Sequence, residues 1–184
     1  MEKKNKGELF SWIKSIACAL AIAFVCRTIL FTPSIVQGES MMPTLENEER
    51  VFVNKIGYNL AGVDRFDIIV FEGNEGHNLV KRVIGLPGDT IEYKDDVLYV
   101  NGKAVEESYL EEYRERVAPS KLMLDFTLEQ ITGKKRVPDG TVFVLGDNRT
   151  NSKDSREFGF VSKEQIIGKG EAVFWPLQDV RTLN

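Results

Sequence analysis

The chain has 184 residues, 42% of them apolar, which suits one globular domain of about 100 to 200 residues plus one further segment. Its formal net charge of -4 is unevenly spread: residues 1–31 carry five basic side chains against two acidic ones, a balance of +3 that leaves -7 on the remainder. An acidic body argues against nucleic acid as a partner, because phosphate binding needs a basic face. Both cysteines, Cys18 and Cys26, lie in one hydrophobic segment, so the body can be neither a cysteine protease nor a disulfide-stapled fold. The single histidine, His77 in GNEGHN, has too few neighbouring ligands for zinc and reads as a solvated loop residue, with a switch or catalytic role as the alternative. No metal or cofactor is expected.

From Trp12 to Phe31 the chain reads WIKSIACALAIAFVCRTILF, about the 20 residues that span a bilayer as a helix. Its two charges, Lys14 and Arg27, lie near the ends, where long basic side chains snorkel. Lys3, Lys4 and Lys6 precede it and favour a cytoplasmic N-terminus, with the body outside. The expectation is a cytoplasmic stretch 1–11, a single-pass anchor 12–31 and an extracytoplasmic body 32–184. A cleaved signal peptide is the competing reading. Against it, no small-x-small pair follows the run, and Val25 stands where lipoprotein-type cleavage before Cys26 needs a small residue. A buried amphipathic helix would need a polar face that the run lacks.

Beyond Pro33 short β-type runs take over: SIVQ, RVFVN, DIIVF, NLVKRVIG, TIEY, VLYVNG, TVFVLGD and GEAVFW. Turn signals separate them, among them LPGD at Leu86 to Asp89 and the hairpin pair Asn101-Gly102. This spacing predicts a mainly β, antiparallel body of the barrel or sandwich type. Residues 106–136 are dense in charge and weak in period, and read as an inserted or peripheral lobe. Ser162 to Gln165 has capping-box spacing for one short helix.

Three stretches hold residue types suited to chemistry. Ser40 lies in GESMMPTL, and a serine needs an adjacent base to act as a nucleophile. Apart from His77, the base must be a lysine held neutral by apolar surroundings. Lys81 in NLVKRVIG fits best, since period-two alternation sets Leu79, Lys81 and Val83 on one face and Val80, Arg82 and Ile84 on the other. The plain alternative is an edge-strand lysine placed against aggregation. The third stretch, GDNRTNSKDSRE at 146–157, holds Asp147, Arg149, Ser152, Asp154 and Arg156, enough for carboxylate–guanidinium pairs that fix a loop. Its alternative is an ordinary polar surface loop.

GESMMPTL at 38–45, DIIVF after Arg65, KRVIGLPGD at 81–89 and GDNRTNSKDSR at 146–156, in that order behind an anchor, resemble the type I signal peptidases, and most of all the short Gram-positive type with one transmembrane segment. The resemblance implies a serine endopeptidase with Ser40 as nucleophile and Lys81 as general base. It implies that the Ser40 N–H helps form the oxyanion hole, and that Ser152 hydrogen-bonds and orients the lysine. Gly38 stands where some relatives carry a serine that assists the hole. Asp147, Arg149, Asp154 and Arg156 match positions of structural character.

The substrate so implied is the signal peptide of an exported preprotein, extended against Ile35, Val36 and Gln37 on one side and the strand through Leu79 on the other, with small pockets for Ala at the first and third residues before the cut. Leu30, Phe31, Ile35 and Met41 are candidates for an apolar surface against membrane lipid. Two other functions fit the same architecture. A self-cleaving repressor-type protease also uses Ser and Lys, but residues 1–31 are too few for its DNA-binding domain. A tethered β-domain that binds peptides without cutting them would survive loss of Ser40.

Overall fold

Turn chemistry decides where this chain reverses. Asp95 and Asp96 have φ of 50° and 60°, and Asn101 and Gly102 have 53° and 76°. Positive φ at both central residues matches the twist of the flanking strands, so two tight hairpins follow. They join β5 (Ile91–Lys94), β6 (Val97–Val100) and β7 (Lys103–Val105). At Leu86 to Asp89 the Asp89 carboxylate accepts the Leu86 N–H at 2.7 Å and Gly88 takes φ of 87°, which closes the LPGD turn. The Arg65 guanidinium bonds the same carboxylate at 2.9 Å.

The structure, a computed structural model, describes residues 10–20, 31–73 and 76–183. Twelve described strands form two antiparallel sheets. The larger contains β1 (Phe31–Ile35), β2 (Arg50–Asn54), β11 (Ile166–Trp175), β3 (Ile68–Glu72), β4 (Asn78–Gly85), β9 (Thr141–Leu145) and β10 (Val161–Ser162) in that order, with β12 (Arg181–Thr182) beside β11. The smaller runs β7-β6-β5-β8, with β8 at Phe126–Thr127. Ile84, Phe143 and Leu145 of the large sheet and Ile91, Tyr93, Leu98 and Val100 of the small one share a single buried cluster, so the sheets hold each other through apolar burial. The antiparallel β body expected from the turn spacing is present. Residues 10–20 are helical. No helix among the described residues is long and apolar enough to cross a membrane. Half of the anchor expected at 12–31, including Cys26, Arg27 and Leu30, lies outside the described residues, as do residues 1–9.

Several expectations are corrected here. The first strand runs Phe31–Ile35 and stops before Val36 and Gln37, whereas SIVQ had been expected to carry it. Lys81 is not an exposed edge-strand lysine: β4 lies between β3 and β9, and although the β9 pairing starts only at Arg82, Lys81 is 2% exposed. Met41 is not a surface residue: it is 1% exposed and packs with Leu45, Val51 and Ile68. The segment 106–136 is not peripheral. It forms a 3-10 turn at Ser108–Leu110, helices at Glu111–Val117 and Leu128–Thr132, and β8, which completes the small sheet against β5. Its lack of period reflects short elements that bury one or two side chains each. Leu110, Tyr113 and Leu122 make a cluster of their own, while Phe126 and Leu128 enter the main core. The capping box at Ser162 and Gln165 is formed, over a 3-10 turn at Lys163–Gln165.

Glu107 opens this segment and is fully buried against the equally buried Arg149 guanidinium, with the Tyr109 hydroxyl donating to Glu107 at 2.6 Å. Removing one partner strands the other charge without water. Glu107→Leu should therefore cost about 3 to 5 kcal/mol, and Glu107→Leu with Arg149→Met markedly less. Urea unfolding of the two variants checks this; equal losses would show that the pair's own attraction, not the stranded charge, carries the effect.

Candidate active site

Lys81 is placed by the middle of β4, where its backbone pairs with Ile69 of β3. Burial on this strand is not alternating: Val80 to Gly85 are all buried, because the sheet is covered on both faces. Lys81 and Arg82 are each 2% exposed and point to opposite faces. The two cations meet different fates. The Arg82 guanidinium is bonded by the Asp147 carboxylate at 2.9 and 2.6 Å, donates to the Phe66 carbonyl at 2.9 Å and stacks 3.9 Å over the Tyr109 ring. Among the described residues Lys81 has no carboxylate within bonding distance. Its Nζ donates to the Val80 carbonyl at 2.9 Å and to Ser40 Oγ at 2.5 Å. Burial pulls its pKa down to about 8 from an ordinary 10.5, against the raising fields of Asp154 and Asp147.

Ser40 opens a run of turns that begins after β1 and ends at β2. Met41 and Leu45 plug that run into the core beneath it, and the Leu45 N–H donates to the Met41 carbonyl at 2.9 Å. Gly38 is at φ of 88°, a conformation that favours glycine, and its N–H donates to the Asn47 side chain at 2.8 Å. The other end is pinned by Glu49, whose carboxylate bonds Arg181 at 2.7 and 2.8 Å while Arg181 also donates to the Thr44 carbonyl.

The loop after β9 closes over this turn from the far side. A Cβ on Gly146 would collide with Ser152 Oγ and with the Ser40 carbonyl oxygen, so glycine there is what lets the two segments approach. The Asn148 N–H donates to the Ser40 carbonyl and its amide to the Glu39 carbonyl, both at 3.1 Å. Asn148 is in turn held by the Tyr113 hydroxyl, which donates to its Oδ1 at 2.8 Å from the helix Glu111–Val117. Asp154 is fully buried; it accepts the Gly146 N–H at 3.0 Å and both the Nε and Nη2 of Arg156 at 2.8 Å.

The sequence had paired Ser40, Lys81 and Ser152, and the structure brings the three segments together. Ser40 and Lys81 are in contact. Ser152 is not bonded to the lysine: its Oγ is buried and has no hydrogen-bond partner among the described residues. The surface-loop alternative for 146–157 fails, since Asp147, Arg149 and Asp154 are buried. One ion pair, Asp154 with Arg156, stays within that loop, while Asp147 and Arg149 reach out to Arg82 and Glu107. Gln37 and Ile35 are exposed, Val36 is buried and Leu79 half-buried, all beside the dyad's strands. Sequence reasoning missed Arg82, Glu107, Gly146, Asn148 and Tyr113. A second charge in the apolar run NLVKRVIG signals Arg82; nothing in the local sequence signals Tyr113.

A hydroxyl 2.5 Å from a buried amine of depressed pKa is what serine nucleophiles need where histidine is not the base. The family model described as signal peptidase, peptidase S26 matches residues 9–175. Over 177 residues the chain is 49% identical to signal peptidase I of Bacillus caldolyticus, covering 96% of this chain and 95% of the relative. Over 182 residues it is 49% identical to signal peptidase I P of Bacillus subtilis subsp. natto, covering 98% and 96%. Signal peptidase IB of Staphylococcus aureus is 43% identical over 180 residues, covering 96% and 94%. The crystal structure of a signal peptidase I from Enterococcus faecalis is similar with a TM-score of 0.56 at 47% identity, covering 58% of this chain and 95% of that one.

The depressed pKa sets a stability signature. Below pH 8 the lysine is charged in both states and the folded chain bears the full desolvation cost. Between about 8 and 10.5 the unfolded chain binds more protons, so stability rises with pH. Lys81→Met should therefore unfold at higher urea than the parent at pH 7, with a margin that shrinks towards pH 10. A margin that grows with pH, or a destabilised variant, would contradict the assignment.

Proposed function

The chain belongs to the signal peptidase, peptidase S26 family and removes signal peptides from preproteins, and from its site we propose that it does so as a membrane-anchored serine endopeptidase with Ser40 as nucleophile and Lys81 as general base. The observation that carries the dyad is the 2.5 Å contact between Lys81 Nζ and Ser40 Oγ inside a site where the amine has no carboxylate partner. Neutral Nζ takes the hydroxyl proton as Oγ attacks the scissile carbonyl. The resulting ammonium returns that proton to the leaving amine when the C–N bond breaks. Water, deprotonated by the same amine, then releases the acyl group from Ser40. The Ser40 N–H is offered to the developing oxyanion; Gly38 adds no side-chain donor, so backbone groups carry that role, each worth about 3 to 4 kcal/mol in such sites. Ser152 Oγ, buried beside Gly146 and unbonded, is an acceptor for the amine's remaining N–H once Lys81 is neutral. Asp147, Arg149, Asp154 and Arg156 hold the loop that carries it.

Substrate placement follows from an open edge. β9 pairs with β4 from Arg82 onward, leaving Asn78 to Lys81 without a strand on that side among the described residues. An extended signal peptide adding there, opposite Ile35, Val36 and Gln37, meets the face formed by Val36, Val70 and Val80, which is filled by the core. That face leaves room for small side chains, which supports cleavage after Ala-x-Ala. Anchoring by residues 12–31 is supported by an exposed apolar grouping at the C-terminal end of β1, the strand that follows that segment. Ile35 lies beside Arg50 and Arg50 beside Trp175, and Ile35, Phe52, Trp175, Leu177 and Val180 are all exposed apolar side chains near that end of the sheet. Such a grouping suits contact with lipid. The catalytic body then faces the extracytoplasmic side.

Incubation of the purified chain with a preprotein carrying an Ala-x-Ala site tests the reading. Release of the mature N-terminus should fall by at least about 1,000-fold in Ser40→Ala and in Lys81→Arg, since a permanently charged guanidinium cannot accept the proton. The parent's rate at low substrate should rise with pH through about 8. Retained cleavage by Lys81→Arg would overturn the dyad; unaltered peptide binding with no cleavage by the parent would favour a binding domain. Replacing the Ala before the cut by Phe should slow cleavage by about 10- to 100-fold, equivalent to the roughly 1 to 3 kcal/mol of overfilling. Removing residues 1–31 should leave a folded body that cleaves a soluble peptide and works less well on membrane-inserted preprotein.

A further inference from the structure

The two faces of the open edge of β4 differ sharply in what lies behind them. Behind Val80 is packed core. Behind Leu79, on the face that also carries Lys81, is a cavity of about 290 Å³. Its floor is the cross-strand pair Leu79 and Phe71, its walls include Phe158 and Val161, and Gln37 and His77 stand at its margin. The floor is apolar because these side chains belong to the cluster of Ile69, Val83 and Val142 that packs that face of the large sheet. Gly73 completes the approach: a Cβ there would press within 2.9 Å of Leu79 and 3.0 Å of the His77 carbonyl.

Resting on the proposal that a signal peptide adds as a strand beside Asn78 to Val80, we propose that this cavity is a selective subsite for the residue second before the scissile bond, and that it takes a large apolar or aromatic side chain. Successive side chains of an extended peptide point to opposite faces. If the first and third residues before the cut face Val36 and Val80, the second must face Leu79 and the cavity. The middle residue of an Ala-x-Ala site is then a point of selection. An aromatic ring entering the cavity covers Leu79 and Phe71 and removes its own surface from water, whereas glycine leaves the floor wetted.

The test is a series of one preprotein with Gly, Ala, Leu or Phe at that position, cleaved by the full chain in detergent micelles. Expected is a kcat/KM for Phe and Leu about 10-fold or more above Gly. Leu79→Trp, which fills the cavity from its floor, should bring the Phe-to-Gly ratio close to one. His77→Trp, at the exposed margin, serves the same purpose should the first variant fail to fold. Equal rates across the series, or selectivity that survives the folded variants, overturn the subsite while leaving the Ser40 and Lys81 proposal standing. Cleavage of no member would overturn that proposal itself.

Discussion

Two consecutive basic side chains in the middle of a covered sheet set the terms for everything around them. Lys81 and Arg82 are equally buried, yet Arg82 meets a carboxylate while Lys81, among the described residues, meets only the neutral oxygens of Val80 and Ser40. Arg82 cannot give up its charge, so the fold supplies Asp147, the Phe66 carbonyl and the Tyr109 ring. Lys81 can, and the cheapest response to its burial is loss of the proton. The carboxylates nearest to it are already engaged: Asp147 by Arg82, Asp154 by Arg156 and the Gly146 N–H. Their guanidinium partners compete for the same negative charge that would otherwise hold the ammonium. The loop 146–157 thus shields the lysine from neutralisation by ion pairing.

That arrangement explains which parts were legible in sequence. Strands with hydrophobic runs and positive-φ turn pairs could be read directly: RVFVN and NLVKRVIG match β2 and β4 residue for residue, and Asn101-Gly102 closes its hairpin. The alternation argument that singles out Lys81 rests on a one-sided pattern that β4 lacks, since both faces of β4 are buried and Arg82 is as enclosed as the lysine. Burial on two faces is a property of sheet order, which local pattern does not carry. The pairing of Arg149 with Glu107, 42 residues away, is invisible for the same reason. Segment 106–136 was unreadable because its elements span two to seven residues, too short for any period to declare itself.

Candidate site residues divide along the same line. Ser40 and Lys81 stand out by residue type in unusual company, and the contact between them needs β1, β4 and the turn run to assemble. Ser152 stands beside the lysine by family likeness; here its hydroxyl is buried and without a hydrogen-bond partner among the described residues, open to the one N–H that a neutral amine has left when its lone pair faces Ser40 and its other N–H the Val80 carbonyl. Gly146 is legible in hindsight as a glycine directly after a strand, and its role is steric absence.

The bond from Tyr113 to Asn148 ties two parts of the molecule that the sheet order keeps apart. Asn148 grips the carbonyls on either side of the Glu39–Ser40 peptide, and Tyr113 sits in the small cluster of Leu110 and Leu122. The turn that presents Ser40 is therefore not free to loosen by itself. Opening it means either stripping a half-buried asparagine of its partners or lifting the helix Glu111–Val117 away with it. Amide protons of the turn and of that helix then belong to one cooperative unit, and the rigidity of Ser40 is borrowed from a helix that meets its turn through Asn148.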